Sequence, residues 1–315
     1  MDTFPLKPPG AAHGRLRACV LAGVLAAMAS ACGASTPAHA PGTIAAVGAE
    51  NEYANVIAQV GGRYVSVAAI ESSPNTDPHS FEASPSVAQE VSQASVVVQN
   101  GVGYDSYMEK IEAASPSSSR RVIDVQKLLG VAASTANPHL WYDPRTMPAV
   151  ASALAGDLSS LQPAHASYFQ ARAAAFVRSL QAWTRALQSF AARYRGAAVA
   201  TTEPVGDYML EAAGTRNLTP FPLQADIMNG VDVAPQNVSL EKQLLSAHRV
   251  RALLYNQQVT DTLTQSFLQA AEAAHVPVVG LYETMPPGYD FQSWMLAEVN
   301  ALRAAVSEGR STRKL

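Results

Sequence analysis

From residue 44 onwards, apolar runs of strand length alternate with stretches of helical period. The first series of runs stands at 44–47, 64–70, 95–99 and 122–125, with helical stretches near 50–60, 84–93 and 104–112. A second series begins at 197–201 and continues at 251–255 and 276–281, with helices near 205–213, 239–247, 262–274 and 291–306. Buried parallel strands read as short unbroken apolar runs and need a crossover helix between them, so each series predicts a parallel sheet covered on both faces. Between the series, Phe169, Ala173, Phe176, Leu180, Trp183, Leu187, Phe190 and Tyr194 step by four and three without interruption. That stripe predicts one helix over 163–195, about 50 Å long at 1.5 Å per residue, packed into the core and too stiff to act as a hinge. The expected architecture is α/β: two lobes, each a parallel β-sheet flanked by helices, joined by one long rigid connector helix. The segments are 43–162 for the N-terminal lobe, 163–195 for the connector, 196–308 for the C-terminal lobe and 309–315 for a tail.

Composition narrows the function. With 48% apolar and 15% charged residues in 315, the chain has enough apolar material for two cores and does not read as disordered. Lys and Arg number 22 against 25 Asp and Glu, and no basic stripe is present, so no nucleic-acid partner is expected. No Gly-x-Gly-x-x-Gly or Walker loop opens any of the helices, which leaves nucleotide binding unsupported.

The first residues read as an address. Lys7, Arg15 and Arg17 precede an apolar run over 18–29, too short for a membrane span of about 20 residues. The run ends in Ala29-Ser30-Ala31-Cys32-Gly33, which resembles a bacterial lipobox with Ala29 in place of the usual Leu. Residues 1–31 are therefore expected to be a signal peptide, Cys32 to be the lipidated N-terminus, and 32–42 to be a tether. Plain secretion with cleavage after Ala40 is the competing reading, disfavoured by Pro41 directly after the cut. Cys19 leaves with the signal, so the mature chain holds no disulfide. The expected location is extracytoplasmic, in the periplasm or at the cell surface, anchored to the membrane through Cys32.

Four loops carry donors for a metal ion. They are Thr76-Asp77-Pro78-His79-Ser80-Phe81-Glu82, Asn137-Pro138-His139-Leu140-Trp141-Tyr142-Asp143-Pro144, Thr202-Glu203-Pro204 and Tyr282-Glu283-Thr284. Each is expected to offer its donor just beyond the carboxyl end of a parallel strand, where open α/β sheets place their ligands. Two neutral imidazoles and two carboxylates suit a divalent first-row ion, and the two carboxylates balance its charge. Singly, each residue has an ordinary explanation: a hydrogen-bonded His, a helix-capping Glu203, a solvated Glu283. Together they point to ligation. His13 and His39 fall in the signal and tether, while His165, His248 and His275 sit near helix ends.

At these loops the sequence resembles the metal-binding lipoproteins of bacterial zinc/manganese ABC importers, the cluster A-I solute-binding proteins. The resemblance runs through Asp77-Pro78-His79-Ser80-Phe81-Glu82, residues 94–104, the Asn137-Pro138-His139 motif, the connector and on to about Val306. It implies one ion in the interlobe cleft, held by His79 and His139 from the first lobe and Glu203 and Glu283 from the second. Glu283 replaces the family's usual Asp, with Asp207 and Asp226 as its rivals, and Glu82 matches a position that braces the first histidine. The implied cargo is one divalent ion, Zn2+ or Mn2+, with Fe2+ as a further candidate. The Glu at position 203 and the absence of histidine over 115–136 lean towards Mn2+, whereas intrinsic affinity favours Zn2+. The implied partner is an ABC transporter permease, the implied state a monomer, and no enzymatic activity is expected.

Two other functions remain open at this point. A metal-dependent hydrolase would keep one coordination position for water and a base beside it, and neither His-Glu-x-x-His nor a Ser/His/Asp set is present. A receptor or adhesin for an organic ligand or a metal chelate would want cations and an aromatic cleft, for which Tyr53, Trp141, Tyr208 and Tyr289 are candidates.

Overall fold

The computed structural model describes residues 42–315, so the expectations for the signal peptide, Cys32 and the tether up to residue 41 lie outside the described residues. Strand β1 (Ile44–Glu50) is buried along its whole length, which is why it reads as an unbroken apolar run. Helix α1 (Asn51–Gly61) follows at once and buries Tyr53, Val56, Ile57 and Val60 on one face. Then come β2 (Val65–Glu71), α2 (Pro85–Gln93), β3 (Val96–Gln99), α3 (Ser106–Ala114), β4 (Arg121–Asp124) and the short α4 (Val125–Leu129). All pairings are parallel, and the sheet order is β2-β1-β3-β4.

Helix α5 (Thr146–Leu161) has no counterpart among the sequence expectations. Its alanine-rich face buries Met147, Val150, Ala151, Leu154, Ala155 and Leu158, at the i, i+3, i+4 spacing of a helix, but the small residues blur the contrast between its sides. It packs on α1 and on α6 (Ala166–Ser179), the first half of the connector.

The connector is not one uninterrupted helix. Residues 163–165 form a 3-10 turn, and α6 gives way at Leu180 to α7 (Gln181–Tyr194). Ser179 Oγ donates to the Phe176 carbonyl at 2.6 Å, and the Leu180 N–H reaches that same carbonyl at 3.3 Å. A hydroxyl sharing a helical carbonyl in this way loosens the ladder and bends the helix. The stripe nevertheless stays buried from Phe169 through Leu180 to Phe190. Its first half packs against α1 and α5, and its second half against α8 and α12 of the other lobe.

The second lobe repeats the plan with β5 (Ala198–Thr201), α8 (Asp207–Ala212), β6 (Arg216–Asn217), α9 (Phe221–Met228), α10 (Pro235–Ser246), β7 (Leu253–Asn256), α11 (Thr262–Ala273), β8 (Val278–Leu281) and α12 (Phe291–Glu308). Its sheet order, β6-β5-β7-β8, is again parallel and again starts in the interior. Each sheet thus reverses its winding beside its first strand, between β1 and β3 and between β5 and β7, the crevices where ligands collect in such sheets.

One hydrophobic core runs from the first lobe along the connector into α8, α12 and the near face of β8. A second core fills the other face of the second sheet against α9–α11. The C-terminal segment is not loose: Gly280 N–H donates to the Thr312 carbonyl at 2.8 Å and Thr312 N–H to that of Val278 at 2.9 Å, closing the edge of β8. A Cβ on Gly280 would lie 2.0 Å from the Arg313 carbonyl oxygen. Gly280→Val is therefore expected to dislodge residues 310–315 and cost about 1–3 kcal/mol, read as a lower urea midpoint and faster carboxypeptidase trimming.

Candidate metal centre

The two histidine loops share one local device. In Asp77-Pro78-His79, Asp77 Oδ1 accepts the His79 backbone N–H at 2.9 Å; in Asn137-Pro138-His139, Asn137 Oδ1 accepts that of His139 at 3.0 Å. An Asx oxygen closing a turn over a proline, whose φ is fixed, sets the direction of each imidazole. The rings then lie edge to face with a centroid separation of 5.9 Å, and Tyr104 packs against both, at 5.2 and 5.8 Å. Trp141 backs His139 at 5.3 Å.

Glu283 reaches between the histidines from the loop after β8. Its Oε2 lies 3.1 Å from His139 Nε2, 3.2 Å from His79 Nε2 and 3.0 Å from the Tyr104 hydroxyl, which donates to it. Among the described residues, His79, His139 and Glu283 are the one group of three or more His, Cys, Asp or Glu side chains whose donor atoms all fall within 4.8 Å of one another. His139 and Glu283 are fully buried, and the His79 side chain keeps 20% exposure.

The hydrogen bonds around His139 decide its tautomer. Asn137 Nδ2 donates to the Pro204 carbonyl at 2.8 Å, so its Oδ1 is the atom facing His139. That oxygen takes the His139 backbone N–H and, at 2.8 Å, the ring Nδ1, which must carry the proton. Nε2 of the neutral ring is then a bare lone pair aimed at a carboxylate oxygen. His79 Nε2 is buried and has no aligned hydrogen-bond partner either. Acceptors converging on acceptors leave a place that only a proton or a cation satisfies.

With protonated histidines the same contacts become ion pairs. Burial alone would raise the Glu283 pKa, but the two histidines outweigh it and hold the carboxyl well below the usual range. Burial pushes the His139 pKa down, against the pull of Glu283. His79 is pushed down by burial too, yet Glu283 draws it above its ordinary value.

Glu203 stands just outside this group. It is buried at 2% exposure; Asn256 Nδ2 donates to its Oε2 at 3.2 Å and to Glu283 Oε1 at 2.6 Å, and Glu203 Oε1 has no partner. Burial and the Glu283 charge raise its pKa well above the ordinary value. The rivals are placed elsewhere: Asp207 accepts from Asn217 Nδ2 at 3.0 Å, and neither it nor Asp226 joins the cluster. Glu82 corrects an expectation, since it is exposed and makes no hydrogen bond to His79; its neighbour Phe81 packs on Tyr107 instead. The bracing role belongs to Asn137, on the other histidine.

Tyr104, Asn137, Asn256 and Gln258 complete the site and were not singled out by sequence. Tyr104 follows a turn in which Gly101, Val102 and Gly103 all have positive φ, a conformation that is strained for a β-branched residue and collects at functional sites. Beside His79 lies a cavity of about 490 Å3, lined among others by Glu71, Tyr104, Tyr107, Lys110 and Asn229. Tyr53 and Trp141 are core residues, and Tyr208 spends its hydroxyl on the Asn137 carbonyl at 2.9 Å. Further carboxyl groups lie behind the cluster. Glu50 and Glu71 are register neighbours on β1 and β2, Glu52 opens α1, and all six carboxyl oxygens are buried without a partner.

Comparison with known proteins follows the same line. The family model described as "Zinc-uptake complex component A periplasmic" (ZnuA) matches residues 47–305. No curated protein matches the chain by sequence. A solved ZnuA structure shares 19% identity at a TM-score of 0.69, covering 84% of this chain and 100% of that one. The solute-binding protein FpvC of Pseudomonas aeruginosa, in complex with Mn2+, shares 18% identity at 0.69, covering 84% and 99%. The periplasmic zinc-binding protein TroA of Treponema pallidum shares 17% at 0.69, covering 85% and 100%. At these identities the likeness shows the two-lobe fold.

Proposed function

Because the chain belongs to the family of periplasmic zinc-uptake components typified by ZnuA, we propose that it is the extracytoplasmic receptor of an ABC importer, capturing one divalent cation and handing it to the membrane permease. His79, His139 and Glu283 hold the ion, and Glu203 supplies the fourth ligand from beside Asn256. The observation that carries this reading is the convergence of His79 Nε2 and His139 Nε2 on Glu283 Oε2, at 3.2 and 3.1 Å, inside the protein. Two nitrogens and carboxylate oxygens favour Zn2+ over Mn2+ in affinity, so Zn2+ binds more tightly in vitro whichever ion the importer carries.

The reading extends to the whole chain. Residues 1–31 direct export, Cys32 anchors the monomer by its lipid, and the two lobes fold over 43–162 and 196–308 around the connector. It acts as a receptor, binding and releasing its ion without chemical change. Among the described residues, no helix is long and apolar enough to cross a membrane.

The test is thermal unfolding of residues 33–315, stripped with chelator, with and without Zn2+ or Mn2+. A ligand held only by the folded state at about 1,000 times its Kd adds roughly 4 kcal/mol, on the order of 8–15 °C at this size. That shift is expected for wild type and lost in His139→Ala. No shift with any divalent ion would overturn the reading.

A further inference from the structure

We infer that Gln258 is the positioning residue that ties the His79 loop to the Glu283 loop across the cleft and thereby sets how long a captured ion stays bound. The inference rests on the receptor reading above and concerns a residue that supplies no ligand atom to it.

Gln258 is buried at 7% exposure, two residues beyond the end of β7. Its Oε1 accepts the backbone N–H groups of Glu283 at 2.7 Å and Thr284 at 2.8 Å. Its Nε2 donates to the Thr284 hydroxyl at 2.9 Å and, on the other lobe, to the Thr76 carbonyl at 2.9 Å and the Ser73 carbonyl at 3.4 Å. Its own N–H goes to Asn256 Oδ1 at 3.0 Å, and that amide holds both Glu203 and Glu283. One side chain therefore grips a ligand-bearing loop with each end of its amide.

The two loops are held very differently otherwise. Asn51 of the first lobe binds both polar groups of the Met285 backbone at 2.9 Å, and Tyr142 binds the Tyr282 carbonyl at 2.8 Å, so the Glu283 loop is fastened to the first lobe without Gln258. The His79 loop has cavities on both sides. One of about 210 Å3 separates it from Glu71 and Thr284, and the 490 Å3 cavity lies beyond His79 and Phe81. Its bonds through Asp77 are internal; besides the His79 ring against Tyr104, His139 and Glu283 and Phe81 on Tyr107, the tie to Gln258 is the hydrogen-bonded hold of this loop on the other lobe among the described residues. His79 is also the exposed member of the three. An ion leaves past the ligand whose loop can swing, and Gln258 restrains that loop.

Two variants divide the roles of the amide. Gln258→Ala removes both grips. Gln258→Glu keeps acceptors for the Glu283 and Thr284 N–H groups but cannot donate to Thr76, and its added charge by itself favours retention of a cation. Each protein is loaded with Zn2+, and release into excess chelator is followed by stopped flow, with association measured in parallel. Release is expected to be about tenfold faster in both variants, the worth of one or two buried hydrogen bonds, with association unchanged. Unchanged or slower release in either variant overturns the inference. So does a lower unfolding temperature of the stripped protein with an unchanged release rate, which marks a merely structural role. Failure of wild type to load Zn2+ would instead overturn the receptor reading.

Discussion

Glu283→Ala is expected to lower Zn2+ affinity by roughly 10²–10³-fold, the equivalent of about 3–5 kcal/mol for removing one member of a buried charged pair. Three features make this the most damaging single change. Glu283 carries the one carboxylate in contact with both histidines. Its loss leaves the buried Tyr104 hydroxyl without an acceptor and Asn256 Nδ2 with Glu203 alone, so the pocket cannot relax into a neutral substitute. It is also the group held most firmly in its ionised form, so it meets the cation already charged. Titration against a chromophoric chelator gives the affinity directly. Tyr104→Phe provides the scale, since it deletes one donor to the same oxygen and should cost about 1 kcal/mol, close to fivefold. Equal losses in the two variants would mean that Glu283 supports the site without touching the ion.

That Glu283 ranks first could not be read from the chain alone, where it competed with Asp207 and Asp226. What the sequence displayed well was whatever repeats at short range. The strands at 44–50, 96–99 and 278–281 are buried on both faces, so their apolar runs are unbroken. The connector stripe is legible because large side chains step regularly along one face. Its joint at Leu180 is not, because it comes from a serine hydroxyl competing for a carbonyl, and serine is common in helices that do not bend. Strand β6 has two residues and carries no period at all. Helix α5 hides behind alanines, which are apolar enough for the core and small enough for the surface.

The site divides in the same way. Two Pro-His turns are local devices, and the sequence shows both, although the capping by Asp77 and Asn137 emerges only in the fold. The remaining parts are tertiary. Asn137 acquires its role from Pro204, 67 positions away, and Asn256 and Gln258 look like an ordinary strand end until β8 brings Glu283 alongside. Glu82 shows the converse error. Its place in a motif suggested a brace, but its side chain lies in solvent, and a side chain's exposure is set by the fold around it.

The ion-free protein is expected to lose stability as the pH rises from 6 to 9, with Glu71→Gln flattening the decline. In the unfolded chain Glu71 ionises near its ordinary 4.5, whereas in the folded protein burial, then the charges of Glu52, Asp105, Glu283 and Asp77, push it up to about 9. Between those values the folded state holds the extra proton, so raising the pH favours unfolding by about 1.4 kcal/mol per unit, or roughly 3 kcal/mol by pH 7. Glu50 and Glu52 are raised by burial in the same direction, and Glu298 is pushed to about 8. The lowered groups act oppositely but elsewhere: Glu283 adds its stability above pH 4.5, and His139 completes its gain near its ordinary 6.5. Above pH 7 the raised carboxyls therefore set the slope, with the raised His79 adding to it. Urea unfolding at pH 5, 7 and 8.5 measures it. Glu71→Gln should be nearly neutral at pH 5, where the native residue is already protonated, and stabilising by a few kcal/mol at pH 8.5. Stability that climbs from pH 6 to 9 would show that these carboxyls ionise freely. A bound dication lowers the cost of every negative charge around it, so the Zn2+-loaded protein should show the shallower decline of the two.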